Sequence, residues 1–216
     1  MRQRAWLRRL RSRLLLPTGV LLLLLLAAWV VLAPAEARLG NLVKLVYVHG
    51  ALVFAGLCAF SAAGLLGLVA LVARRPAWYR GAEAAGWGAL LVWILYAISA
   101  MAVTSLAWGQ LIAWNEPRVR ASVLILAAAL VLELAIRLVG HRSFGAATRA
   151  VMGVVPWLVT SRAEAVRHPV DPIGGSTSPS IHVYFLLISL TVGCLVLDLL
   201  AWLWVERELQ SCKLES

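Results

Sequence analysis

Long apolar runs alternate with short polar segments along the whole chain. Each run is at least about 18 residues long, enough to cross the roughly 30 Å hydrocarbon core of a bilayer as a helix. The runs fall at residues 14–33, 45–73, 84–107, 121–139, 144–161 and 181–205. The fifth is the weakest, because it is short and contains Arg149 and Pro156. The pattern predicts an all-α integral membrane protein, with six transmembrane helices in a single membrane domain over 1–216.

The first run follows a basic segment and precedes small residues, an order that secretory signal peptides share. It extends from Leu14 to Ala33. A run of about 20 residues suffices to span a bilayer, which the shorter apolar region of a signal peptide does not do. We therefore interpret it as a retained helix.

Composition agrees with a membrane protein. Hydrophobic residues make up 62% of the chain and its mean hydropathy is +0.87, whereas soluble domains are about 45–50% apolar. The net charge of +10 would suggest nucleic-acid binding in a soluble protein. Here the charges fall between apolar runs, so we attribute them to membrane topology and expect no nucleic-acid partner.

The distribution of lysine and arginine predicts the orientation of the chain. Fourteen of these residues lie in the N-terminal segment, in the second and fourth connections or in the C-terminal tail, and six lie in the other three loops. Positively charged loops stay in the cytoplasm. Both termini are therefore expected there, and loops 34–44, 108–120 and 162–180 are expected on the outer face.

Three of the four histidines belong to this outer face, together with two tryptophans of the second outer loop. They are His49, His168, His182, Trp108 and Trp114. Two imidazoles on opposite sides of a flat apolar ligand can bind haem iron, and indole rings offer a stiff apolar platform. Each residue taken alone would be an ordinary interfacial side chain. Their occurrence on one face favours a binding site.

Other sites are poorly supported by the sequence. No spacing typical of a zinc site, a metalloprotease or a phosphate-binding loop is present. Two acidic residues, Glu133 and Asp198, lie within apolar runs. Such residues are functional hypotheses by default, but the favoured interpretation is structural. It pairs Glu133 with Arg137 one helical turn away and turns Asp198 toward Arg137 or Arg149.

Two strings of residues surround the first two outer histidines. The string KLVYVHGA contains His49, and WLVTSRAEAVRHPVDPI contains His168. A third string, AWGQLIAWNEPRVRASVLIL, runs from the Trp-containing loop into the fourth apolar run. Together they resemble the CcmC-type haem-handling proteins of cytochrome c maturation. The resemblance covers nearly the whole chain in order and spacing.

The family has a Trp-rich loop that reads approximately WGxWWxWDxRLT. Trp108 and Gly109 match its start, Trp114 its last Trp and Arg118 its Arg.

Several residues depart from this family pattern. Leu111 and Ile112 replace two Trp, Asn115 replaces the Asp, and Glu116 resembles an insertion. His182 has no counterpart in the family, so it is an alternative second ligand.

The resemblance implies transient binding of haem b at the outer face, with His49 and His168 as axial ligands. The propionates would pair with Arg118 and Arg120. The implied platform consists of Trp108, Gly109, Leu111, Ile112 and Trp114.

The resemblance also implies a role that is not enzymatic. A protein of this family hands haem to a periplasmic haem chaperone, with an ATP-binding cassette haem-release complex and small membrane subunits as partners. It lies in the inner membrane of a prokaryote, in contact with lipid. One alternative is a non-haem assembly subunit or permease on the same scaffold. A b-type electron-transfer cytochrome is less well supported, because the inner side carries only His141.

Overall fold

The computed structural model describes residues 2–164, 166, 173 and 175–214, and over these residues it contains helices and no strand. The elements are α1 (Arg2–Leu10), a π-helical turn (Arg11–Leu15), α2 (Leu16–Leu32), α3 (Leu42–Ala73), α4 (Pro76–Trp108), α5 (Pro117–Val139), α6 (Arg142–Met152), α7 (Val155–Arg162) and α8 (Pro179–Leu214). The all-α prediction is confirmed for the described residues.

Five helical stretches within the described residues are long and apolar enough to cross a membrane. They are Arg4–Leu32, Leu42–Ala73, Pro76–Trp108, Pro117–Val139 and Pro179–Cys212. Five of the six apolar runs therefore lie in helices of spanning length, as a multi-pass membrane protein requires. Several helices extend beyond the runs. For example, α4 starts at Pro76. Proline is tolerated at the start of a helix, because the N–H groups of the first turn have no hydrogen-bond partner within the helix.

The predicted fifth transmembrane helix, 144–161, is not one continuous helix. A turn at Gly153 and Val154 divides it into α6 and α7. Pro156 lies just after the break, where it has no N–H to donate to a continuing helix. The backbone at Gly153 also lies against α3, so that a Cβ on Gly64 would come within 2.7 Å of the Gly153 Cα. The break therefore follows from backbone chemistry and close tertiary packing together.

Helix α3 lies at the centre of the bundle and packs against α4, α6 and α8. A stripe of small residues, four apart along this helix, is buried throughout. The stripe consists of Ala51, Ala55, Ala59, Ala63 and Gly67. Small side chains let neighbouring backbones approach closely. At Gly67 the approach is so close that a Cβ would lie 2.5 Å from a carbonyl oxygen of α6.

Both ends of the described chain lie at one end of the bundle, which we call the terminal end. Leu7 packs there against Val205 and Leu209. Ion pairs reinforce this contact, joining Arg11 to Glu206, Arg80 to Glu208 at 2.7 Å and Arg207 to Glu83 at 3.1 Å. The start of α4 and the end of α3 also lie here.

The start of α3, the end of α4 and the start of α5 consequently lie at the opposite end, which we call the far end. The loop before α3 and the loop after α4 therefore lie at the same end of the bundle.

Candidate functional site

His49 lies in α3, about two turns from the far end of the helix, and its ring faces α4. The imidazole Nδ1 is 3.2 Å from the Ser99 hydroxyl oxygen, and the ring centroid is 5.0 Å from that of Tyr96. The Ser99 hydroxyl donates its own hydrogen to the Tyr96 carbonyl at 2.7 Å. The Ser99 oxygen can therefore accept a hydrogen bond from Nδ1–H. This arrangement favours the tautomer of His49 that keeps a lone pair on Nε2.

A row of aromatic rings continues from His49 toward the core. Tyr96 packs on Trp93 at a centroid distance of 4.7 Å, and Trp93 packs on Phe60 at 5.8 Å. The Trp93 indole N–H donates to the Ser122 carbonyl of α5 at 3.1 Å. This row fixes the side of α3 on which His49 lies. Sequence reasoning missed it, although Trp93 and Tyr96 are three residues apart in a helix and share a face.

The loop that follows α4 depends on Gly109. Its φ of 67° is left-handed, a conformation that glycine adopts without steric cost. The Gly109 N–H donates to the Ser105 carbonyl at 3.0 Å, and the Thr104 hydroxyl donates to the Leu111 carbonyl at 2.9 Å. The loop is therefore fixed at the end of α4. This turn is sufficient to explain a glycine at position 109, without any contact to a ligand.

The residues of the predicted platform point in different directions. Leu111 is 59% exposed and Trp114 is 57% exposed. Ile112 and Trp108 are half-buried, and Ala113 between the exposed pair is fully buried. The structure therefore presents two large apolar side chains outward from the loop, whereas Ile112 and Trp108 contribute partly to its interior.

Glu116 is the polar residue that sequence reasoning missed. It is fully buried, with 0% exposure, and it immediately precedes the first turn of α5. One carboxylate oxygen accepts a hydrogen bond from the Val166 N–H at 3.3 Å, which links the second outer loop to the third. A carboxylate is stabilised at the positive end of a helix dipole. The sequence signal was an acidic residue directly before a proline that begins an apolar run.

The two predicted propionate contacts lie in the first turn of α5. Arg118 is half-buried, and its carbonyl accepts a hydrogen bond from the Ser122 hydroxyl at 3.1 Å. Arg120 is exposed.

The predicted second ligand, His168, lies outside the described residues. The alternative, His182, lies in the first turn of α8 and is exposed. Its Nε2 is 2.8 Å from the Ile173 carbonyl, so Nε2–H donates and a lone pair remains on Nδ1. His182 thus lies at the far end, where α8 begins.

The two acids within apolar runs, buried Glu133 and half-buried Asp198, belong to the terminal half of the bundle, and their predicted partners were wrong. The Glu133 carboxylate pairs with Arg149 of α6, at 2.8 Å and 3.1 Å. Arg137 instead lies over the Trp87 ring, 4.7 Å from its centroid. Asp198 faces α2, where a Cβ added to Gly19 would lie 3.0 Å from its carboxylate. The i,i+4 rule is local, and contacts between helices override it here.

Among the described residues, no group of three or more His, Cys, Asp or Glu is arranged to hold a bare metal ion. A haem site needs fewer protein ligands than a bare metal ion, because the macrocycle itself binds the iron and the protein supplies one or two axial side chains. Comparison with known proteins adds nothing further, since no family model and no curated protein matches the chain.

Proposed function

We propose that the chain is a membrane-embedded haem-handling protein of c-type cytochrome biogenesis. It would bind haem b at the far end of the bundle and hand it to a periplasmic haem chaperone. The observation that carries the proposal is the environment of His49. Its hydrogen bond to Ser99 favours the tautomer with a lone pair on Nε2, which is the form in which a histidine binds iron.

The basic residues support a periplasmic position for this site. The terminal end gathers the fourteen lysines and arginines that the positive-inside rule assigns to the cytoplasm. The far end, with His49 and the loop after α4, would then face the periplasm or the cell exterior. The protein would lie in the inner membrane of a prokaryote, with six crossings of which the pair α6 and α7 makes the fifth.

In this proposal His49 is one axial ligand, and His168 or His182 is the other. Bound haem supplies an iron that accepts an imidazole lone pair. The apolar loop residues Trp108, Gly109, Leu111, Ile112 and Trp114 would contact the macrocycle.

Arg118 and Arg120 would pair with the propionates, since guanidinium groups suit carboxylates. The outward position of Leu111 and Trp114 suits hand-over, because the receiving chaperone must reach the ligand. An ATP-binding cassette haem-release complex and small membrane subunits are the further partners in this proposal.

A haem spectrum tests the proposal. The purified chain is incubated with haemin and washed, and absorption and pyridine haemochrome spectra are recorded for wild type, His49→Ala and His141→Ala. His141 is the matched control, because it is an exposed imidazole at the start of α6, away from the far end. We expect a b-type spectrum in the wild type and the control, and a weakened one in His49→Ala. Equal spectra in all three proteins would contradict the proposed ligand.

The orientation has its own test. Single cysteines are introduced at Ala37 and Ala77 in a cysteine-free chain. Both positions are exposed, the first in the loop before α3 and the second in the first turn of α4. An impermeant maleimide added to intact spheroplasts should label the cysteine at 37 and leave that at 77 unlabelled. The reverse pattern would place the His49 site in the cytoplasm.

One observation favours a second candidate, a non-haem assembly subunit or permease. The apolar residues after α4 are divided between the surface and the interior, and the exposed pair Leu111 and Trp114 would equally suit contact with another protein. Absence of bound haem in the wild type after incubation with haemin would support this candidate over the haem handler.

A further inference from the structure

A groove lies between α5 and α7, at the end of the bundle where α5 begins. Its volume is about 580 Å³, within the range of pockets that hold small molecules. Arginines from both helices line it, Arg120 from α5 and Arg162 from α7. The apolar wall is formed by Leu124, Leu158 and Val159, with small alanines between them.

The sequence places charge and apolar surface in the same order on both helices. On α5, Leu124 follows Arg120 by four residues, and on α7, Leu158 precedes Arg162 by four residues. Residues four apart share a helix face. Because α5 begins and α7 ends at the far end, each helix carries its arginine toward that end and its leucine one turn closer to the middle of the bundle.

The two guanidinium groups are available to a ligand. Both side chains are exposed, and over the part of the chain that the structure describes neither has a carboxylate within ion-pair distance. Two described acids are close to the groove arginines in sequence. Glu116 is fully buried and accepts a hydrogen bond from the Val166 N–H, and Glu164 is exposed beyond the end of α7. The upper groove therefore carries two positive charges.

The apolar part of the groove is open at the surface of the bundle. Leu124 is exposed, and so is Leu158. Leucines at membrane depth on a spanning helix face lipid tails. An occupant of this groove must combine an anionic head at the surface with an apolar chain below it.

We propose that the groove binds one anionic phospholipid of the outer leaflet. The phosphate would lie between Arg120 and Arg162, since guanidinium groups bind phosphate in a bidentate manner, and an acyl chain would lie along Leu124 and Leu158. Where the lipid occupies the groove, Arg120 binds its phosphate and the propionates of the proposed haem site are left to Arg118. Haem itself is a poorer occupant of the groove, because the lining consists of Arg, Ala, Leu and Val and offers the iron no imidazole, thiolate or thioether.

Native mass spectrometry of the full chain tests this site. The protein is reconstituted with phosphatidylglycerol or with phosphatidylcholine, and the lipid retained after delipidation is counted. Arg120→Gln and Arg162→Gln are compared with Arg38→Gln, which removes one exposed charge from the loop before α3, outside the groove. Leu124→Trp fills the groove and leaves both charges in place.

We expect the wild type and Arg38→Gln to retain one phosphatidylglycerol in preference to phosphatidylcholine. Each groove arginine removed should weaken this retention about fivefold, as expected for one basic contact with an anionic lipid, and Leu124→Trp should abolish it. Equal retention of both lipids by the wild type would overturn the proposal. An equal loss in Arg38→Gln and the groove variants would also overturn it, because it would indicate only a general surface charge effect. A loss of haem with unchanged lipid in Arg162→Gln, whose arginine is not a proposed propionate contact, would assign the groove to haem instead.

Discussion

The ion pair between Glu133 and Arg149 allows a quantitative prediction. Arg149 donates to both carboxylate oxygens of Glu133, at 2.8 Å and 3.1 Å, and to the Gly145 carbonyl at 3.2 Å. The two side chains are only 7% and 11% exposed. Removing one partner leaves the other charge buried without its counter-ion, which costs about 3–5 kcal/mol. Glu133→Leu and Arg149→Met should each destabilise the fold by about this amount.

The double variant Glu133→Leu/Arg149→Met should be far less destabilised than either single variant. Replacing both charges with apolar groups of similar size is often neutral or stabilising. A cavity of about 20 Å³ beside the pair, lined by Phe60, Met152 and their neighbours, leaves room for the side chains to adjust. The free energies of unfolding are measured in mixed micelles by far-ultraviolet circular dichroism.

The ion pair of Arg207 with Glu83 supplies the control. Its side chains are 34% and 40% exposed, so Arg207→Met should cost less than about 1 kcal/mol. The predicted cost of a buried unpaired charge is refuted if Glu133→Leu and Arg149→Met each lower the free energy of unfolding by no more than this control does. It is also refuted if the double variant loses as much free energy as the two single variants together.

Three further predictions concern the backbone and one carboxylate. Gly64→Leu should separate α3 from Gly153 and lower the thermal midpoint by several degrees, whereas Gly193→Ala, which meets no atom within 4 Å, should not. Gly109→Ala, at φ 67°, should cost about 1–2 kcal/mol in a denaturant titration. Backbone N–H groups of Leu39 and Arg38 lower the pKa of Glu36 below its ordinary 4.5. The ionised Glu36 carboxylate therefore contributes fully to the free energy of unfolding above about pH 4.5, and this contribution is lost as the pH falls through the lower folded-state pKa. Glu36→Gln should abolish this pH dependence in thermal melts recorded at several pH values.

The apolar runs predicted most of the helices, because the length of a run and its hydropathy are properties of the sequence alone. The residues at which the helices begin and end were less predictable. The run 84–107 is shorter than α4, because Trp78, Tyr79 and Arg80 belong to the helix but do not raise the hydropathy of an apolar window. The division of 144–161 depends on Gly153 meeting the backbone of α3, which is a tertiary contact that no window along the chain detects.

The candidate site was predictable in outline. The positions of His49 and His182 at one end of the bundle follow from counting spans. The tautomer of His49 does not, because Ser99 lies fifty residues away in α4. Glu116 was interpreted as an insertion, whereas in the structure its buried carboxylate accepts a hydrogen bond from a residue of the next loop. Local rules predicted a partner for Glu133 within its own helix, and the true partner is on another helix.

The most direct test of the account is the haem content of the purified chain and its His49→Ala variant, measured by pyridine haemochrome after incubation with haemin. The account predicts about one b-type haem in the wild type, a clear loss in His49→Ala and no loss in His141→Ala. A wild-type chain that binds no haem, or a His49→Ala variant that binds as much as the wild type, would contradict it.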